Sequence, residues 1–580
     1  MGKRAAPKGP GYEDWTFWWN FNKDDILQLK SQVKKQQSAK RSGTSLHRFG
    51  QRKTGDSEVV TATDAAIQTQ IVPALRDMMV EEGLNFDIQS AAAIALGKIG
   101  DESIVDTLKK MAVNETSSYH RVVEESAALS FGLLQKNSEE IREFLIELIQ
   151  NKQQNASFAR PFAAVSLGLL GNEGDRDGKV AEALLGVLAG KESKQDVKPA
   201  CLVALGLIGD DKLVPELLFM LEQGKVNRKG ADELNDNEMA FVVNALGKIG
   251  SPGTAEDPLA VVEVLKKSLD GKREKNANVR RSAAIALGQL APACEQKVQK
   301  DIVDRLTDVA RDGKDSSERN FGMIALGRVG ATEGVDPKTR DKCIDALTYL
   351  VAKAKPSTIG PPFAGLSLGL IGRQILAETA QAPEEKIRKP LRDMFEATSE
   401  PRARGAYAIA SGLVRDPLAV EALVKVFQDR GADARLRGYC ALSLGMIGDS
   451  AAKESISKVL SDEDENDRNL RVQTAVAAGL MGDASVIDAL VKLLQSEDSQ
   501  YVLGSVALAL GQIGDERAIV SLLEIAQDTG KKYPDLTRAL ATVALGQIGD
   551  RRDTPTLSRL AKDINYRAHV PALAELLTIL

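Results

Sequence analysis

Aromatic residues make up only 4% of this 580-residue chain, and it holds just four cysteines and three histidines. Such scarcity removes several classes of chemistry. His47, His120 and His569 are scattered, no His-Glu pair occurs, and HExxH, CxxC, Walker and GxSxG patterns are all missing. Cys201, Cys294, Cys343 and Cys440 lie too far apart for a metal knuckle or a compact disulfide framework. Cys201 and Cys440 stand where other repeats of this chain mostly place Ala, Val or Gly, and they are expected to be small core residues. No apolar run approaches the length of a membrane span. The opening MGKRAAPKGP has no hydrophobic stretch after its basic residues, and Ala6 stands where N-myristoylation wants Ser or Thr. As written, the chain is expected to be cytoplasmic, with export after loss of a signal as the alternative. No catalytic residue, metal or cofactor is expected.

What the chain has in abundance is one segment. ALGKIGD at Ala95 to Asp101 returns with variations thirteen times, marked by Gly97, Gly132, Gly168, Gly206, Gly247, Gly288, Gly327, Gly369, Gly412, Gly445, Gly479, Gly511 and Gly546. Spacings of 32 to 43 residues indicate stacked repeats rather than globular domains. Each repeat reads as an apolar first helix, such as ASVIDALVKLLQS from Ala484, followed by a motif helix, such as VRRSAAIALGQLA from Val279. The Gly-Asp pair that closes many motifs supplies a helix stop and then an N-cap. An all-α solenoid of about thirteen two-helix repeats over 61–580 follows. Its two ends are expected to need caps.

Two residues before the marker glycine every repeat carries Ala or Ser, and two residues after it every repeat carries Ile, Leu, Val or Met. At about 100° per residue the glycine and the small residue fall on opposite flanks of the motif helix. Small flanks let successive motif helices approach closely, while the aliphatic face packs on the first helix. Eight residues before the glycine stand Arg160, Lys198, Arg280, Arg319, Arg404, Arg437, Arg471 and Arg538. Such a stripe either grips phosphates or acidic partners, or forms a structural ladder bonding carbonyls and carboxylates between repeats. The second reading is favoured, because an Arg there can bury its stem.

A first helix alternating with VRxxAAxALGxIGD resembles HEAT repeats, in particular the short PBS lyase HEAT-like variety. The likeness covers nearly nine-tenths of the chain. It implies a superhelical scaffold or adaptor that binds protein partners, with a bilin-lyase-like enzyme or chromoprotein chaperone as the alternative. The tryptophan-rich start and the Asn-Tyr-Arg-Ala exit are also similar to bacterial HEAT-repeat proteins of the planctomycete kind.

The ends differ from the middle. Residues 1–29 hold all three tryptophans, Trp15, Trp18 and Trp19, with Phe17 and Phe21 beside them. A helical turn there is aromatic on most faces, so it needs a partner surface, either the chain's own array or another protein. Residues 30–60 read as a flexible basic linker, with eight Lys or Arg and no Asp or Glu between Lys30 and Lys53. Since residues 1–29 are balanced and the whole chain carries −5, the remainder is strongly acidic. Contact of the linker with nucleic acid or an anionic surface is the weaker alternative, since interleaved aromatics are nearly absent. The end, DINYRAHVPALAELLTIL, is expected to be an amphipathic helix closing the last repeat.

A docking surface is expected where motif helices face away from their first helices. One residue after the glycine, Leu133, Leu169 and Leu207 are followed by Lys248, Gln289 and Arg328, then by Leu370, Leu413, Met446 and Leu480. Two apolar patches flanking a polar saddle result, and Phe162, Phe363 and Tyr439 add aromatics to the patches. Long stretches at Gly224 to Glu238 and Gly372 to Lys386 read as loops inserted at the edges.

Overall fold

A computed structural model describes residues 13–32 and 60–570, apart from breaks at 116–117, 152–157, 172–176, 193, 251–257, 354–360, 461, 463–464, 466, 482–484, 497–499 and 569. Among the described residues the elements are helices, with two isolated bridges, Thr61 to Asp515 and Lys225 to Glu233. The two-helix repeat is built as its residues dictate. In Glu139–Gln150, a first helix, the Ser138 side chain accepts from the Ile141 N–H, and Ile141, Leu145, Leu148 and Ile149 are buried. At the end of motif helix Phe86–Ile99, Gly100 takes φ 87°, and Asp101 then accepts from the Ser103 N–H to open the next helix. Gly514, at φ 80°, and Asp515 repeat the device. A left-handed stop followed by an acceptor turns the chain in two residues.

Packing groups the described residues into two bodies that do not follow chain order. One comprises 13–23, 209–416 and 560–570, and holds five motif helices. The other comprises 24–32, 60–208 and 417–559, and holds eight.

Within the five-repeat body the motif helices stack in the order of their glycines, from Gly247 to Gly412. The small flanks mesh. A β-carbon on Gly288 would lie 2.9 Å from the Ala325 α-carbon, and one on Gly369 would lie 2.9 Å from that of Ala410. Gly247, Gly288, Gly327 and Gly369 thus each receive the small residue of the next repeat. Where that residue is serine, its hydroxyl adds a bond between helices: Ser367 Oγ donates to the Met323 carbonyl. The stretch after Gly372 is not wholly a loop, because motif helix Pro361–Thr379 runs on through it. Here Arg373 replaces the usual Asp, and RQILAET is rich in helix formers. The other long stretch, from Gly224, is an edge turn closed by the Leu234 N–H donating to the Gly224 carbonyl.

The eight-repeat body follows the same rule with a different outcome. Gly97 receives Ser130, Gly168 receives Ala204, Gly445 receives Ala477 and Gly511 receives Ala544. Gly546, in the last repeat, receives Ala95 of the first: its β-carbon would lie 2.5 Å from the Ala95 β-carbon and 2.7 Å from the α-carbon. The motif helices therefore run Gly445, Gly479, Gly511, Gly546, Gly97, Gly132, Gly168, Gly206 without a gap at the chain's ends. Asn85 Nδ2 donates to Asp535 at 3.0 Å, and Arg551 pairs with Asp64 at 2.5 Å across the same junction. The expectation of two ends needing caps is corrected: the first and last repeats cap each other, because every repeat carries both halves of the stacking contact.

The expected C-terminal helix is also corrected within its described part. After the short helix Ser558–Ala561, residues 562–568 are irregular, with Asp563 at φ 54°. Asp563 and Asn565 favour turns over helix interior, and Asn565 accepts from the Arg567 N–H. Residues 571–580 lie outside the described residues, as does the basic stretch 33–59.

Candidate functional site

Four of the cations eight residues before the glycine are placed by their motif helices against the last turn of their own repeat's first helix. Nε of Arg160, Arg404, Arg437 and Arg538 donates to the carbonyls of Ile149, Phe395, Phe427 and Ala526, at 2.9, 2.9, 2.9 and 3.2 Å. Arg319 donates to the Gly313 carbonyl, just past its first helix. Those carbonyls have no partner within their helix, and a cation there also opposes the helix dipole. Several of the arginines reach a carboxylate of the following repeat as well. Arg160 pairs with Glu192 at 2.7 Å, Arg280 with Glu318 at 3.0 Å and Arg437 with Glu465 at 2.7 Å. Arg471 instead donates to the carbonyls of Glu465 and Asp462, and Lys198 is buried.

The residues expected to line apolar patches lie mostly inside. Leu133, Leu169, Leu207, Leu413, Leu480, Phe162 and Phe363 are buried, while Leu370, Met446 and Tyr439 are half-buried. The reason is geometric. A side chain one residue after the glycine reaches back over the preceding repeat's glycine: Leu133 over Gly97, Leu169 over Gly132 and Leu413 over Gly369, at 3.2, 3.0 and 3.2 Å from the β-carbon that glycine lacks. These leucines fill the space between motif helices instead of facing outward.

The polar saddle behaves differently. In the five-repeat body Lys248 Nζ donates to the Lys562 carbonyl at 3.2 Å, Asn244 Nδ2 to the Asp563 carbonyl at 3.4 Å, and Arg328 pairs with the Asp563 carboxylate. Asn565 Nδ2 donates to the Asn278 carbonyl and to Ser282 Oγ, both at 3.0 Å. Tyr566, 5% exposed, lies among Phe17, Phe21 and Phe321 with ring centroids at 6.2, 5.8 and 5.1 Å. Burial pushes its phenol well above the ordinary range, so it stays neutral. An irregular stretch of the chain is thus held across motif helices by side chains at their ends.

Residues 15–23 of the aromatic helix Trp15–Leu27 lie in the same surroundings. Trp15, Trp18 and Trp19 are all buried. Trp15 Nε1 donates to the Arg402 carbonyl at 2.7 Å, Asp14 faces the Arg402 guanidinium at 3.5 Å, and Asn22 accepts from the Asp563 N–H at 3.3 Å. The Trp18 indole N–H, the Asn320 side-chain oxygen and the Gln289 side-chain oxygen are buried with no partner among the described residues.

In the eight-repeat body the corresponding contacts run from cations to carbonyls. Lys30 donates to the carbonyls of Gln547 and Asp550 at 2.5 and 2.8 Å. Arg552 donates to those of Lys98 and Leu133, and Arg559 to that of Leu169 at 3.0 Å. Four of the carbonyl donors' targets, Lys98, Leu133, Leu169 and Gln547, occupy the position after the marker glycine. Burial pulls the Lys98 ammonium below its ordinary value, opposed by Asp550 and Asp24. The sequence carried a signal for this: after the last motif, DRRDTPTLSR replaces the apolar first helix that follows the others.

All four cysteines are buried, and burial pushes the thiols of Cys201 and Cys343 up to about 12. His120 stacks on Phe86 at 4.0 Å; His47 and His569 lie outside the described residues. Among the described residues no group of three His, Cys, Asp or Glu side chains is placed to hold a metal ion, and no helix is long and apolar enough to cross a membrane.

Two family models match parts of the repeating sequence. Residues 463–534 match the family model for HEAT repeats, and residues 88–114 match that for the PBS lyase HEAT-like repeat. No curated protein matches the chain. Among solved structures, yeast importin-beta (Kap95p) is similar at 14% identity and a TM-score of 0.42, over 90% of this chain and 71% of that one. Kap121p is similar at 12% identity and a TM-score of 0.36, over 81% of this chain but only 56% of its own, so this chain spans little more than half of it. With matches to two kinds of HEAT model in separate parts of one repeating sequence, and helix pairs stacked through the described residues, the chain carries HEAT repeats.

Proposed function

We propose that this protein is a non-catalytic scaffold that binds protein partners along its motif helices. The observation that carries the reading is the seat of residues 562–568 in the five-repeat body. There, side chains of motif helices take hold of an irregular protein segment through its backbone carbonyls, one carboxylate, one amide and one ring. A surface already made for a chain segment is made for proteins. It is also built ahead of binding, which keeps the ordering cost of association low. The aromatic helix at the start serves the same surface in cis, and the polar saddle rather than the apolar patches supplies specific contacts.

The test is crosslinking of the tagged full-length chain in native lysate, followed by mass spectrometry. Crosslinks to one protein that concentrate on the motif helices of Gly247 to Gly412 support the reading. A shift in the absorption of an added bilin, with no protein crosslinked, would replace the scaffold by the lyase-like alternative. Steeply salt-dependent retention of nucleic acid by the basic stretch would point to the remaining alternative.

A further inference from the structure

Resting on the scaffold reading, we infer that the five-repeat body carries a peptide site which residues 562–568 occupy in place of a partner. Its true ligand is a turn-forming protein segment with an acidic residue, an Asn two positions on and a Tyr three positions on. That pattern is the chain's own Asp563, Asn565 and Tyr566, and each has a dedicated receiver. Arg328 takes the carboxylate, Ser282 and the Asn278 carbonyl take the amide, and Phe321 takes the ring edge. Lys248 and Asn244 donate to carbonyls of the segment, contacts that do not depend on its side chains. Two kinds of contact coexist, one that reads side chains and one that does not, which is how peptide-binding surfaces divide specificity from affinity.

The occupant fits incompletely. Asn320, 1% exposed, adjoins Phe321 on its motif helix and has a side-chain oxygen that meets no donor among the described residues, whereas the unmet oxygen of Gln289 is turned onto Gly247 between two motif helices. An unmet buried acceptor is costly, and a ligand that supplies the missing N–H or O–H donors gains that cost back. The segment itself holds Asp563 in left-handed backbone, which a non-glycine residue adopts at an energetic cost. Trp18, on the aromatic helix packed beside it, buries an N–H without an acceptor. By contrast, the repeats underneath are joined by glycine-to-alanine contacts along whole helices. The unmet groups of Asn320 and Trp18 and the strained backbone lie at or beside the parts that can leave, and the site beneath is preformed.

The probe is a fluorescent synthetic peptide of the sequence LAKDINYRAHV, residues 560–570. The receptors are the full-length chain and its Asp563→Ala, Tyr566→Ala double variant. The variant is expected to bind the peptide at least tenfold more tightly than the parent, and a peptide carrying Tyr566→Ala is expected to lose that binding. Equal binding by both chains, or none by a variant with parental circular dichroism, overturns the site. Should the variant fail to fold, hydrogen exchange on the parent decides. Excess peptide is expected to speed exchange of the chain's own 564–568 amides without changing the helix Ala277–Leu290, and unchanged exchange at saturating peptide overturns the proposal. A chain that crosslinks to a protein partner yet fails these tests retains the scaffold reading and loses this site.

Discussion

The two bodies are made from the same repeat and treat the chain's terminal segments in opposite ways. In the eight-repeat body Lys30, Arg552 and Arg559 approach carbonyls at the ends of motif helices, contacts that any residue's backbone could accept. In the five-repeat body the motif helices present Asn244, Lys248, Ser282, Phe321 and Arg328, and these take hold of particular side chains as well as carbonyls. The first arrangement closes a stack and the second recognises a sequence. What separates them is which partner reads the other: in the first, side chains of the terminal segments reach motif-helix carbonyls, and in the second, motif-helix side chains reach both carbonyls and side chains of the terminal segment.

The largest effect should come from the contact both bodies share. Gly168→Ala places a β-carbon 2.6 Å from the Ala204 α-carbon, a backbone atom that no rotamer change can move. A loss of about 3 kcal/mol is expected, read as a lower urea midpoint. Gly546→Ala should cost as much, because its β-carbon meets the Ala95 α-carbon at 2.7 Å; Gly479→Ala should cost little, since its nearest neighbour is the flexible Ile513 side chain at 3.2 Å. If Gly546→Ala proves as mild as Gly479→Ala, the last repeat does not stack on the first in solution.

Next in size is the contrast between carbonyl and side-chain recognition. Arg552→Gln and Arg328→Gln should each cost about 2 kcal/mol by denaturant titration. Adding Asp563→Asn should recover much of the Arg328→Gln loss, because the buried carboxylate left behind is then neutral. Arg552 also pairs with the buried Asp550 carboxylate at 2.8 Å, so Asp550→Asn should recover a smaller share of the Arg552→Gln loss, the carbonyls of Lys98 and Leu133 staying unmet. Equal recovery in both bodies would erase the distinction drawn between them.

A smaller effect belongs to the edge of the five-repeat body. Arg340 grips Glu378 through both guanidinium nitrogens at 2.7 and 2.9 Å and pulls its carboxyl from 4.5 down to about 2. A carboxyl whose folded value is depressed stabilises the fold above its unfolded value, and the gain fades as pH falls toward the folded value. Glu378→Gln should therefore lower stability by about 0.5 kcal/mol at neutral pH. Thermal melts of parent and variant should converge between pH 4.5 and about 2.

The smallest expected signal concerns thiols. With Cys201 and Cys343 sealed and held as thiols to about 12, a thiol reagent at pH 8 should label neither body until denaturant is added. Rapid labelling of Cys343 alone would show the five-repeat body opening first.

Local residue identity determined much of this protein. Thirteen marker glycines, their Ala or Ser partners and the Gly-Asp stops specify the helix pairs and their stacking, because these are contacts between nearest neighbours with a recurring geometry. The arginines before the glycine were legible for a similar reason, since the carbonyls they reach lie close in sequence, within their own repeat. Only tertiary structure decided that Gly546 meets Ala95, since a rule obeyed by every repeat leaves open whether the ends find each other. The same holds for Leu133 and Leu169: their outward position on a helical wheel ignores the neighbouring helix, which approaches closely enough for them to fill the gap. Asp563, Asn565 and Tyr566 carry no periodic signal at all. Their place depends on more than two hundred residues of intervening chain returning them to Ser282 and Arg328, and such long-range pairing is set by the accumulated geometry of the stack, which no local pattern encodes.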